Sequence, residues 1–186
     1  MTDMITAVKS HANMPDYDEA RANFSWEEVE KEFSWHQTGK VNMAYEAIDR
    51  HAETWRKNKV ALYYSDQERD EKYTYQDMKY LSNQFGNVLR SIGIEKGDRV
   101  FLFLPRSPEV YVSMMGTIKI GAITGPLFEA FMDQAVRDRL ENSEASVLVT
   151  TPSLVERVPY KELAHLETII LIGSGEAPED TVDVKL

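Results

Sequence analysis

Residues 100–128 spell out a complete strand–helix–strand unit, and that unit restricts the fold more than any other stretch of the chain. Val100–Leu104 is an unbroken apolar run, the pattern of a strand covered on both faces. Ser107-Pro108-Glu109 follows: a serine to cap, a proline at the first helical position and an acid at the positive end of the helix dipole. The predicted helix carries Val110, Met114, Met115 and Ile118 and closes at Gly121, after which Ala122–Phe128 is strand-like again.

The same alternation extends on both sides. Val60–Tyr64 reads as a strand, Ser65–Glu71 as a turn and Lys72–Thr74 as a short extended piece. Thr74 with Asp77 forms a capping-box pattern ahead of a 3.6-period stripe of Tyr75, Met78, Leu81, Phe85, Val88, Leu89 and Ile92. Gly93 and Ile94 have the order of a Schellman stop. Downstream the pattern predicts a helix over 133–142, a strand at Val147–Val149, a short helix from Thr151-Pro152 to about Arg157, and a last strand at Thr168–Ile172. Alternating strands and helices of these lengths imply a largely parallel sheet with helices on its faces, hence an α/β class. Strand order is not legible at this level.

Upstream the chain reads as helical. Ser25 and Glu28 have capping-box spacing before Trp26, Val29 and Phe33, and Phe24-Ser25-Trp26 recurs as Phe33-Ser34-Trp35. Two copies do not make a solenoid. A second helix is predicted over 43–56, with Ala44, Ile48, His51 and Trp55 on one face.

Composition narrows the function classes. The 186 residues carry 21 basic and 31 acidic side chains, a net charge of −10, which disfavours a nucleic-acid partner. With no cysteines, thiolate zinc sites, disulfides and cysteine nucleophiles are excluded. The opening Met1–Met14 lacks a secretory apolar core, and no apolar run approaches membrane-spanning length. The expectation is a cytoplasmic protein.

Phosphate loops fail on inspection. Gly39-Lys40 has Ser34 and Val41 where a Walker loop needs glycine and a hydroxyl residue; Gly173-Ser174-Gly175 has Pro178 at the third glycine position. His11, His36, His51 and His165 are scattered without metal-ligand spacing, so no metal site and no catalytic constellation is expected. His51 reads as a packed structural histidine, and acid pairs such as Glu27-Glu28 read as solvated helix face.

Taken together, Gly97-Asp98-Arg99-Val100, Leu104-Pro105-Arg106-Ser107-Pro108-Glu109, Gly121-Ala122 and Pro126 resemble the opening of adenylate-forming enzymes. Asn42-Met43-Ala44-Tyr45-Glu46-Ala47-Ile48-Asp49-Arg50-His51, the two Phe-Ser-Trp copies, Gly125–Phe131 and Arg139–Ser143 narrow the resemblance to acetate–CoA ligases and their short-chain relatives. It runs from about Tyr17 to Ile172. It implies a helical N-terminal extension over residues 1–58, then over 59–186 the first part of the large AMP-binding domain. Such enzymes use ATP, magnesium, a short acid and coenzyme A, forming an acyl-adenylate and then a thioester. The Ser/Thr/Gly-rich phosphate loop, the later adenine and metal segment and the C-terminal lid of that family have no counterpart here, so the remainder of the same enzyme is the implied partner and the chain alone is expected to be inactive. A ligase for propionate or a longer acid, and a non-catalytic domain sharing the fold, are the alternatives.

One site follows from the resemblance. An aromatic–Gly-Gly–aromatic turn and a later arginine segment approach the nucleotide part of coenzyme A in that family. Phe128 and Phe131 match the aromatic ends, Glu129 and Ala130 stand in place of both glycines, and Arg157 lies near the arginine segment. The implied coenzyme A residues are therefore Phe128, Glu129, Ala130 and Arg157. The competing reading makes both phenylalanines core residues and Arg157 a solvated one.

Overall fold

The computed structural model describes residues 16–174 and the backbone of residues 183–185. The chain forms two compact units, Met1–Val41 and Asn42–Leu186. His11, Gly175, Pro178 and the opening Met1–Met14 lie outside the described residues.

From residue 16 onward the first unit is a string of short helices. In α1 (Tyr17–Ala22) the Asp16 carboxylate accepts from the Glu19 N–H at 2.9 Å. The Ser25 capping box is not made: α2 (Trp26–Glu30) has no side-chain cap bond, and Glu28 instead takes the ammonium of Lys31, one turn on, at 2.6 Å. After α3 (Ser34–Thr38) the chain leaves through Gly39 at φ 65°. The repeated Phe-Ser-Trp has no common geometry. Phe24 meets Trp26 edge-on, whereas Phe33 and Trp35 stack with their planes 10° apart.

The second unit opens with a helical run that is wound as a π-turn over Tyr45–Asp49 before one α-helical turn, α4 (Arg50–Ala52). The single helix predicted over 43–56 therefore does not form. Thr54 stops it, accepting from the Arg56 N–H and starting a separate 3₁₀ turn, Trp55–Asn58. That break swings Trp55 off the apolar face. Ala44 and Ile48 are buried, but Trp55 is 72% exposed, with the Lys59 ammonium 4.6 Å from its ring centre.

Next, β1 (Val60–Ser65) and β2 (Asp70–Thr74) pair as an antiparallel hairpin, a separate sheet from the one that follows. The Thr74–Asp77 box is made in both directions at the start of α5 (Tyr75–Ser91). Its stop is the predicted Schellman motif: Gly93 at φ 86°, with Ile94 N–H donating to Leu89 and Gly93 N–H to Arg90.

The main sheet contains β3 (Arg99–Phe103), β4 (Ile123–Pro126), β5 (Val147–Thr150), β6 (Thr168–Leu171) and β7 (Asp183–Lys185). All are parallel, in the order β4-β3-β5-β6-β7. The last strand was not predicted: a three-residue Asp-Val-Lys piece has no apolar run to announce it, and an edge strand needs none. The crossovers are α6 (Pro108–Lys119), α7 (Asp133–Ser143) and the short α8 (Pro152–Val155).

Strand alternation divides the core. Val100, Leu102, Val147, Val149 and Ile170 pack with Phe85 and Leu89 of α5 on one face. Phe103, Leu148, Ile169 and Leu171 pack with Val136 and Leu140 of α7 and with Leu154 and Val155 of α8 on the other. The class is thus α/β with a helix-covered parallel sheet, as the alternation implies.

Candidate functional site

In a parallel sheet the place to look is where strand order reverses, because connections leave in opposite directions and open a crevice at the carboxyl ends. Here β3 leads to β4 on one side, and the chain then crosses back to place β5 on the other side of β3. The crevice lies at the ends of β3 and β5. A depression of about 490 Å³ sits there, lined by Pro105 after β3, by Glu129, Ala130 and Met132 after β4, and by Thr151, Ser153, Leu154 and Arg157 after β5. A smaller one of about 160 Å³ shares Pro105 and Glu129 and adds Arg106, Tyr111 and Phe128.

The local sequence explains the turn that divides them. Gly125 lies against the Phe101 ring, where a Cβ would stand 2.5 Å from ring carbon. Leu127 N–H still donates to Leu102, holding the chain to β3. The chain then reverses, with Phe131 N–H donating to the Phe128 carbonyl at 2.9 Å and the two rings edge to face at 5.8 Å. Phe131 packs against the core, with the Arg139 guanidinium 4.1 Å above its ring. Phe128 is 57% exposed, so it is not a core residue of this chain. Arg157, half-buried, donates from Nη1 to the Glu129 carbonyl at 3.0 Å. It is therefore not simply solvated; it ties the segment just after α8 to the turn across 28 positions of sequence.

Glu129, Ala130 and Arg157 thus line one depression, and Phe128 lines its neighbour. Sequence reasoning missed Pro105, Thr151, Ser153 and Met132 as lining residues. The signal that finds them is the strand reversal, which needs the strand order.

The remaining motifs are structural. Asp98 accepts from the Glu95 N–H at 2.7 Å, and Arg99 donates to the Ser143 and Glu144 carbonyls at the end of α7. Asn42 donates to the Ile118 and Lys119 carbonyls at the end of α6 while accepting from the Ala44 and Tyr45 N–H groups. Asp49 accepts from the Lys119 ammonium at 2.6 Å. Burial lowers the Lys119 pKa, and Asp49 opposes that shift. Lys79 and then Tyr45 donate to Glu53, holding its carboxyl below the usual range. His51 packs on Tyr75 with ring centres 4.9 Å apart, and its Nδ1 is 3.3 Å from the Arg56 guanidinium. Its pKa is lowered by burial first and then by the charges of Arg50 and Arg56. Among the described residues no group of three or more His, Cys, Asp or Glu is placed to hold a metal, and no helix is long and apolar enough to cross a membrane.

Residues 48–184 match the family described as AMP-binding enzyme. The chain belongs to that family. It is 62% identical over 178 residues to the acetyl-coenzyme A synthetase of Bacillus subtilis (strain 168), an alignment covering 95% of this chain and 31% of that protein. It is 38% identical over 143 residues to the 3-hydroxypropionyl-coenzyme A synthetase of Metallosphaera sedula, covering 76% of this chain and 22% of the relative. The crystal structure of a Brucella canis acyl-CoA synthetase superimposes with a TM-score of 0.75 at 30% identity, over 89% of this chain and 30% of that one. The chain therefore spans a third or less of the length of these relatives. The fold is that of an AMP-binding enzyme.

Proposed function

We propose that the chain is the leading portion of an AMP-forming acetate–CoA ligase, with residues 1–58 as its helical extension and 59–186 as the start of its AMP-binding domain. The observation that carries this reading is the 62% identity to an acetyl-coenzyme A synthetase along 95% of the chain. In the proposed reaction an acetate oxygen attacks the α-phosphorus of ATP and pyrophosphate leaves. The thiol of coenzyme A, losing its proton, then attacks the acyl carbon and AMP leaves.

Within that reaction the crevice is the coenzyme A surface. Arg157, already fixed by its bond to the turn, has guanidinium N–H groups to offer a phosphate. Phe128 presents an exposed ring at the mouth, and Glu129 and Ala130 form the turn between the depressions. ATP, acetate and coenzyme A are the substrates of this reading, and magnesium would accompany ATP. The described residues bring together no carboxylate set for that ion. A cytoplasmic location without nucleic-acid or membrane partners fits the net charge of −10.

The test uses the product of the complete reading frame. Acetate-dependent release of AMP together with acetyl-CoA supports the reading; coenzyme A-independent hydrolysis, or no response to acetate, refutes it. The similarity to a 3-hydroxypropionyl-coenzyme A synthetase favours comparing acetate with three-carbon acids in the same assay. A higher kcat/KM for a three-carbon acid would transfer the assignment to that substrate.

A further inference from the structure

An acidic residue stands in the wall of a crevice that the reading above gives to a polyphosphate ligand. Glu129 lines both depressions. Arg157, beside it, donates to its main-chain oxygen rather than to its carboxylate. No ion pair engages Glu129 among the described residues. The contact that fixes the turn thus leaves the Glu129 side chain out of any ion pair among the described residues. Arg106 lines the smaller depression beyond Glu129, so one negative group separates two arginine-bearing pockets. A crevice walled by protein concentrates such a field, and a built-in repulsive group is a means of discriminating ligands by charge.

We propose that Glu129 is a specificity-determining residue of this crevice, weakening its grip on a phosphorylated thiol carrier in proportion to the phosphate charge brought close to it. Arg157 holds the main chain of the turn through its bond to the Glu129 carbonyl and keeps its remaining N–H groups for phosphate. The inference rests on the crevice being the coenzyme A surface.

The experiment compares kcat/KM for coenzyme A with that for pantetheine, which carries no phosphate, using the complete gene product. Glu129→Gln is expected to raise the coenzyme A to pantetheine ratio by about threefold at low salt, the size of effect that one solvent-exposed charge contact supplies. The gain should fade as salt is added. Glu129→Asp keeps the charge and is expected to leave the ratio at the parent value. An unchanged ratio in Glu129→Gln, an increase indifferent to salt, or an equal increase in Glu129→Asp overturns the proposal. Arg157→Gln separates the two levels of inference. If it lowers the ratio while Glu129→Gln does nothing, the crevice reading stands and the role of Glu129 falls. If neither substitution alters the ratio, the crevice is not the coenzyme A surface. Thermal melts of each variant certify that loss of fold is not being read as loss of affinity.

Discussion

Asn42 uses both ends of its amide, donating to the last carbonyls of α6 and accepting from the first N–H groups of the next helical run. Those are the orphan groups that helix ends leave behind, so this asparagine joins two elements that are 76 positions apart in sequence. Asp49 and Lys119 lock the same joint through a largely buried pair, at 14% and 10% side-chain exposure. Nearby, His51 has a testable titration. Its folded-state pKa lies below the ordinary 6.5 because burial and two arginines oppose the charged ring. The unfolded chain therefore takes up the proton more readily. The histidine's contribution to stability is complete above about pH 6.5 and is lost as pH falls through the folded value. Urea midpoints at about pH 7.5 and about pH 5.5 should differ less in His51→Gln than in the parent. An identical acid loss in both proteins would assign the effect to other groups.

At the level of elements, α5 and α6 approach closely because small residues line the contact. Ser82, Gly86, Ser113, Gly116 and Thr117 are buried there, and a Cβ on Gly116 would stand 2.7 Å from the Ser82 carbonyl oxygen and 2.9 Å from the Phe85 ring. Backbone cannot yield as a flexible side chain can. Gly116→Ala is expected to destabilise the domain by about 2 kcal/mol, overpacking outweighing the roughly 1 kcal/mol that alanine adds to a helix. Gly86→Ala, where the nearest approach is 3.2 Å, should cost less. Denaturant midpoints of the two variants give the order directly, and a Gly116→Ala midpoint at or above the parent's would show that the helices can separate without penalty. Boundaries in this region were legible because their causes are local: a capping box before α5, a Gly93 stop after it, and Pro108 at the start of α6, where Ser107 takes the N-cap position without making the predicted side-chain cap bond. The helix predicted over 43–56 failed for a reason no periodicity contains. Thr54 bonds its own following backbone and closes the run early, so Trp55 turns outward although its spacing fits the apolar face.

For the whole molecule, membership of the AMP-binding enzyme family sets a prediction about the chain taken alone. Its sequence has no glycine-rich loop with a lysine to gather a triphosphate, and acid activation needs charge stabilised on those phosphates. The isolated 186-residue chain should show no acetate-dependent exchange between ATP and pyrophosphate; sustained exchange would mean that some other group here binds the nucleotide. The sequence by itself determined the class of the fold and the identity of most strands and helices. Each depends on periodicity or turn chemistry contained within a few neighbouring positions. Only the tertiary structure decided the strand order, the reversal between β3 and β5 that opens the crevice, and the bond from Arg157 to Glu129. Those features are set by packing between segments tens of residues apart, where the free energy of a contact depends on partners that no local window of sequence includes.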